Sequence, residues 1–245
     1  MRSSAASDVY KRQVYIPREN AKGTIICMHG YHSTNDIEFV PEVRFLWNLG
    51  YSILLPWQRS HGKSEGRYIT YGVKERHDLK RWILYINRHL AAKNKDIFLC
   101  GISMGCATTL MAAGLDLPDN VKGIIADCGF TSPWDIIKHV AKERFHLPPF
   151  PLMYMVDLIS EVVAGFGLKE VSIPEIMKRN KIPVLFIHGD ADDYVPMWMT
   201  IKNYEACAAK KELYIVSGAG HALAFSKDME EGKRRIKNFI NKYKT

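Results

Sequence analysis

No apolar run in this chain approaches the ~20 residues that a membrane-spanning helix needs. There is no Cys-x-x-Cys pair and no His/Cys spacing of the kind that holds zinc. The five cysteines, at 27, 100, 106, 128 and 207, form no framework. An odd count without a framework argues against structural disulfides, and three of the five fall in apolar, strand-like runs where cysteine acts as a small core residue. Internal repeats, low-complexity linkers and blocks of one charge are also missing. Lysine and arginine outnumber aspartate and glutamate by 34 to 26, a formal charge of +8. The excess is spread through amphipathic segments and a lysine-rich C-terminus, which describes a solvated surface and not a nucleic-acid patch. What remains is 245 residues, 47% of them hydrophobic, enough for one large domain with a substantial core.

Short apolar runs alternate with helical patterns along most of the length. Strands are expected at Thr24–Met28, Tyr51–Leu55, Ile97–Cys100, Val121–Ala126, Pro183–Ile187 and Glu212–Val216, with a remnant of an earlier strand at Val14–Pro17. Helices are expected over 36–49, 72–89, from Pro133 with Ser132 as its cap, over 197–209 and over 228–243. This rhythm predicts an α/β domain with a mostly parallel sheet and helices on both faces. Residues 146–173 break the rhythm and read as a small helical cap insertion over the site. In such sheets, functional loops lie at the carboxyl ends of the strands.

The chain is organised around Gly101-Ile102-Ser103-Met104-Gly105. This G-x-S-x-G follows an apolar strand and opens a small-residue helix, which holds the Ser103 hydroxyl on a strained turn above the sheet. A serine hydroxyl is a poor nucleophile near neutrality and needs a histidine base oriented by an acid. After a G-x-S-x-G serine the order is acid, then histidine. His221 lies in a glycine-rich loop after the last strand, Ser217 to Ala222, and is the expected base. The pattern His-Gly-x-x-Asp-x-x-Val-Pro selects Asp192 as the acid; Asp190 and Asp193 read as loop caps or solvated charges, and Asp127 is the alternative. Oxyanion donors are expected from the backbone N–H groups of Tyr31, after His29-Gly30, and Met104, after the nucleophile. His29, His61 and His188 read as loop-fixing residues. His32, Phe150, Met153 and Tyr154 are candidate substrate contacts.

Taken together, His29-Gly30, the Arg59–Gly66 loop, Gly101–Gly105, Gly189–Pro196 and His221 appear in an order that resembles the α/β-hydrolase superfamily. The resemblance covers the chain after residue 13 and points to the branch with serine aminopeptidases, monoacylglycerol lipases, bacterial carboxylesterases and feruloyl esterases. It implies a serine hydrolase that cleaves small-molecule acyl esters through an acyl-enzyme, with no metal or organic cofactor. Amide hydrolysis of the aminopeptidase type is the alternative, and a non-catalytic binding protein of the same fold is the alternative of another class. With no propeller domain ahead of it in the sequence given, a large peptidase of the prolyl oligopeptidase kind is not expected. Two departures stand out: Trp57 precedes Gln58-Arg59 where an aspartate is common, and the N-terminal strands are curtailed, which exposes a sheet edge.

The segment Asp8-Val9-Tyr10-Lys11-Arg12-Gln13 resembles the translation of a transposon-end adapter from a sequencing library. Residues 1–13 are therefore expected to be foreign, with the hydrolase domain at 14–245. The authentic start, with any signal or anchor, is expected to be missing, so compartment stays open, with the cytoplasm favoured and oligomeric state unknown.

Overall fold

The structure is a computed structural model that describes residues 2–3, 11–90 and 95–245. Its strands are β1 (Arg2–Ser3), β2 (Lys11–Ile16), β3 (Gly23–Met28), β4 (Ser52–Pro56), β5 (Asp96–Ile102), β6 (Val121–Asp127), β7 (Val184–Gly189) and β8 (Lys211–Val216). Its α-helices are α1 (Asn35–Glu38), α2 (Val40–Asn48), α3 (Glu75–His89), α4 (Met104–Ala112), α5 (Pro133–Phe145), α6 (Leu152–Ile159), α7 (Ile173–Met177), α8 (Met197–Ala206), α9 (Ala224–Lys227) and α10 (Met229–Tyr243).

One sheet runs in the order β1-β2-β4-β3-β5-β6-β7-β8. β1 and β2 are antiparallel to their neighbours, and the pairs from β4 through β8 are parallel. This is the α/β-hydrolase architecture expected from the sequence. A parallel sheet must be covered on both faces, and the period-two alternation of the strands supplies both coats. In β3, Ile26 and Met28 face one core and Ile25 and Cys27 the other. The first core takes Leu79, Trp82 and Ile83 of α3, Leu110 and Met111 of α4, and Met199 of α8. The second takes Leu46 of α2, Phe225 of α9, and Ile236, Phe239 and Ile240 of α10. Burying each such side chain contributes about 1.5–3 kcal/mol, so α10 is held by its apolar stripe. Its exposed Glu230–Lys233 and Glu231–Arg234 pairs add little. All five cysteines are buried free thiols.

Several expected boundaries move. The helix expected over 36–49 is two helices that break at Phe39. Pro41 stands in the first turn of α2, has no N–H to continue the preceding helix, and clashes with it sterically. The helix expected from 72 begins at Glu75, because the Glu75 carboxylate accepts from the N–H groups of Thr70 and Gly72 and fixes that stretch as a turn. α5 starts as expected, with Ser132 Oγ accepting from Asp135 N–H at 3.0 Å. Of the tail expected to be foreign, residues 1 and 4–10 lie outside the described residues. Lys11–Gln13 belong to β2, where Gln13 pairs with Pro56 and Arg12 C=O accepts from Trp57 N–H. These contacts are main-chain in nature and ask little of the side chains. Trp57, the departure noted in the second loop, is buried with its ring against Gly62, where a Cβ would fall 2.3 Å from Trp57 Cδ1.

The insertion consists of α6 and a π-helical turn, Ser160–Ala164, that ends at Gly165. Met153 anchors it in the core, Trp134 of α5 packs on Tyr154 with ring centroids 5.4 Å apart, and Lys74 Nζ donates to Ala164 C=O. Its outer surface leaves Phe150, Met155, Leu158, Ile159, Val162 and Val163 exposed. Among the described residues no helix is long and apolar enough to cross a membrane.

Candidate active site

Ser103 links β5 to α4 with φ 54° and ψ −116°. A non-glycine residue there costs on the order of 1–3 kcal/mol, and the surroundings must over-determine it. They do so through the backbone. Ser103 N–H donates to Asp127 C=O at 2.9 Å, and Ser103 C=O accepts from Ala107 N–H at 3.0 Å. The flanking glycines are needed for close approach. A Cβ on Gly105 would lie 1.8 Å from Met28 C=O, and one on Gly101 would lie 2.4 Å from Gly105 C=O. The motif is therefore the point where β3, β5 and α4 touch.

His221 and Asp192 come from neighbouring loops at the carboxyl ends of β8 and β7. The two loops are closed onto each other: Asp190 Oδ1 accepts from Gly218 N–H at 2.6 Å, and Ala191 N–H donates to Ala219 C=O at 3.1 Å. His221 Nδ1–H donates to Asp192 Oδ2 at 2.7 Å, and Ser103 O–H donates to His221 Nε2 at 2.9 Å. Three side chains spread over 118 residues of sequence thus form one continuous relay. Asp192 is buried, and burial alone would push its carboxyl up. Hydrogen bonds from His188, His221 and Val195 N–H more than offset that and hold it well below the usual carboxylate range. An ionised Asp192 fixes the imidazole in the tautomer whose Nε2 accepts a proton.

The other aspartates take separate places. Asp190 clamps the histidine loop and Asp193 is exposed. Asp127, at the end of β6, supports Ser103 through its carbonyl, while burial pushes its carboxyl up to about 6. His188 lies on the far side of Asp192: its Nε2 donates to Val195 C=O at 2.9 Å and stands 3.3 Å from Asp192 Oδ2. His29 Nδ1–H donates to Gly30 C=O, and its Nε2 accepts from Gln58 N–H at 3.0 Å, tying the loop after β3 to the loop after β4. His61 Nδ1–H donates to Arg59 C=O and its Nε2 accepts from His32 N–H. Arg59 itself forms a two-pronged, buried ion pair with Asp78, at 2.8 and 2.9 Å.

Of the two expected oxyanion donors, Met104 opens α4, where first-turn N–H groups have no acceptor within the helix. Tyr31 follows Gly30, whose Cα faces Ser103; a Cβ there would be 3.3 Å from Ser103 Cβ. The Tyr31 ring is stacked between His32 and Tyr71, with centroids at 4.2 and 5.4 Å.

Of the expected substrate contacts, His32 is stacked on Tyr31. Met153 is buried in the core, and Phe150 and Tyr154 are exposed on the insertion. The apolar cleft beside the histidine, about 150 Å³, is instead lined by Tyr71, Tyr194 and the α5 residues Ile136, Ile137, Val140, Ala141 and Phe145. Tyr194 packs on His221 with centroids 5.1 Å apart. The sequence pointed to α6 because its apolar residues are uninterrupted. Its one buried residue, Met153, however, packs into the core, and α5 supplies the cleft lining. Glu38 is a further group that sequence reasoning missed. Its carboxylate accepts from Gly30 N–H, and burial pushes it up to about 7 against the opposing pull of that bond and of His221. Nothing in the local sequence around residue 38 signals this, because the proximity arises from the fold.

Comparisons with known proteins agree with this fold. Residues 64–245 match the prolyl oligopeptidase family. The uncharacterized protein YqkD of Bacillus subtilis is 28% identical over 227 residues, covering 93% of this chain and 74% of that protein. The uncharacterized protein YfhR of Escherichia coli O157:H7 is 25% identical over 225 residues, covering 91% and 72% respectively. Among solved structures, the Pyrococcus furiosus esterase Pf2001 superposes with a TM-score of 0.81 at 25% identity, over 100% of this chain and 91% of that one. Est1E of Butyrivibrio proteoclasticus, solved with ferulic acid bound, shares the fold with a TM-score of 0.78 at 18% identity, over 99% and 98% of the two chains. The chain belongs to the prolyl oligopeptidase family and is a serine hydrolase of the α/β-hydrolase superfamily.

Proposed function

We propose that Ser103, His221 and Asp192 act as a catalytic triad that hydrolyses carboxylic esters of small or medium acyl groups. The observation that carries this reading is the unbroken path from Asp192 Oδ2 to His221 Nδ1 and from His221 Nε2 to Ser103 Oγ, at 2.7 and 2.9 Å. Ser103 attacks the ester carbonyl as His221 Nε2 takes its proton. The oxyanion rests on the N–H groups of Met104 and Tyr31, donors worth roughly 3–4 kcal/mol each. His221 then hands the proton to the leaving alcohol. Water, activated by the same nitrogen, frees the acyl group and restores Ser103. The acyl chain occupies the cleft between Tyr71, Tyr194 and α5, whose size suits a short apolar group.

The preference for esters is supported by likeness to an esterase over the full chain and by the apolar cleft beside His221. The family match favours one second reading, cleavage of an amide or peptide bond by the same three residues. A single preparation assayed on p-nitrophenyl acyl esters, aryl esters and aminoacyl amides separates the two. Ester turnover exceeding amide turnover by orders of magnitude is expected, and the reverse order would replace this reading with the peptidase one. A fluorophosphonate probe is expected to label Ser103. Folded protein that takes no label would instead point to a binding protein on a hydrolase fold.

A further inference from the structure

Cys128 has no part in the reaction described above, yet it sits beneath the relay. It follows β6 directly, is fully buried, and has φ 45°, a left-handed conformation that a glycine would adopt at less cost. Its N–H donates to Ile187 C=O at 3.0 Å, which holds the residue in place. Its sulfur, a carboxylate oxygen of Asp192 and a ring nitrogen of His221 all lie within 4.8 Å of one another.

We propose that Cys128, Asp192 and His221 form an inhibitory site for a soft divalent cation, Zn²⁺ in particular. This inference rests on the triad reading and adds a means of switching it off. A sulfur, an imidazole nitrogen and a carboxylate oxygen are the donor types that zinc selects. Around one tetrahedral ion, bonds of about 2.0–2.3 Å place the donor atoms roughly 3.3–3.6 Å apart, so shifts of about an ångström would gather these three. The fourth position is left for water. The local field also invites a cation. Asp127 is nine-tenths buried with Oδ1 lacking any hydrogen-bond partner, and it lies close enough to Asp192 and Cys128 for its charge to act on both. The route in is past His221, the one ligand with appreciable exposure, on a loop that contains Gly218 and Gly220.

The chemistry of inhibition balances. The Cys128 thiol releases one proton to solvent and binds as thiolate. His221 moves its Nδ1 proton to Nε2 and binds the ion through the Nδ1 lone pair. Asp192 exchanges its hydrogen bond from His221 for a bond to the metal. Thiolate and carboxylate together neutralise the ion. With a proton on Nε2, His221 has no lone pair to take the Ser103 proton, and the nucleophile is silent.

The test uses the full chain, freed of metal with a chelator, and two readouts. Ester turnover is titrated with Zn²⁺, and Co²⁺ is added separately to look for a near-ultraviolet thiolate-to-cobalt band. The expected result is inhibition by micromolar Zn²⁺ at one ion per chain, reversal by chelator, and a cobalt band in the wild type. Cys128→Ala, read against its own metal-free rate, should lose the band. It should also need at least the ~10–100-fold more Zn²⁺ that even a lost outer-shell partner costs. Cys128→Ser is expected to behave likewise and serves if the alanine variant does not fold. Cys106→Ala, next to the site but not part of it, should keep wild-type sensitivity. Wild-type turnover unchanged at ~1 mM Zn²⁺, no cobalt band, or equal sensitivity in Cys128→Ala and wild type would each overturn the proposal. A cobalt band in protein that cleaves neither esters nor amides and takes no fluorophosphonate label would support the metal site and sink the triad reading, so the two can fail separately.

Discussion

Glu42 should make this protein less stable as the solution becomes more alkaline. The residue projects from α2 and is only 7% exposed. Its Oε2 is buried without a hydrogen-bond partner. Burial, helped by the nearby charges of Asp127 and Glu38, pushes its carboxyl from an ordinary 4.5 to about 8. Between those two values the folded chain keeps a proton that the unfolded chain releases, so stability falls as pH rises through that window. Each pH unit costs about 1.4 kcal/mol, which amounts to roughly 2 kcal/mol at pH 6 and roughly 4–5 kcal/mol at pH 8. Against a total of ~5–15 kcal/mol for a typical domain, that is a large share. Glu42→Gln keeps the shape and removes the charge. Urea unfolding of both proteins at pH 6, 7, 8 and 9 should show the variant gaining on the wild type by about 2–3 kcal/mol between pH 6 and 8, then levelling. An unpaired amide would add an offset, but the offset would not depend on pH. A difference between the two proteins that stays constant from pH 6 to 8 would refute the reasoning.

Other expectations concern the site and its supports. Ser103→Ala or His221→Ala should lower turnover by ~10⁴–10⁶ while leaving the far-ultraviolet circular dichroism unchanged. Asp192→Asn should cost ~10⁴ in kcat, as expected when the imidazole is held in the wrong tautomer, whereas Asp127→Asn should stay within about tenfold of wild type; the opposite ranking would move the acid to residue 127. Gly105→Ala places a methyl 1.8 Å from the Met28 carbonyl, and expression should give unfolded or strongly destabilised protein, seen in the thermal midpoint. Arg59→Ala removes the two-pronged partner of the buried Asp78 and leaves the half-exposed Arg81 at 3.2 Å from it, a loss of about 3–5 kcal/mol in chemical denaturation.

How much of this was legible beforehand depended on the range of the interactions. The relay could be read because each member is marked locally: Ser103 by the glycines that β3 and α4 require, Asp192 by the His-Gly and Val-Pro that frame its loop, and His221 by its glycine-rich neighbours. The sheet could be read because parallel strands are apolar on both faces. The split at Phe39 was legible in principle, since Pro41 is in plain view, but the amphipathic pattern on either side outweighed it. The carboxyl cluster of Glu38, Glu42 and Asp127 was not legible. Those residues come from α1, α2 and β6, and only the packed chain makes them neighbours. The cleft lined by α5 was not legible for a related reason. Apolar residues on α5 and α6 look alike in sequence, and only the packed chain shows that α5 lines the cleft with Tyr194 while α6 is anchored in the core through Met153.

The strand order has a further consequence. β5, which delivers Ser103, is hydrogen-bonded on both sides by β3 and β6, whereas β8, which delivers His221, is, among the described residues, the last strand of the sheet and joined to β7 alone. Amide deuteration should therefore reach the 217–223 segment through local opening long before it reaches β5, whose protons exchange only when the molecule opens as a whole. On warming, His221 is therefore expected to leave Ser103 while the strand that carries Ser103 is still in place. Catalysis should fade reversibly at temperatures where the central strands have not begun to melt.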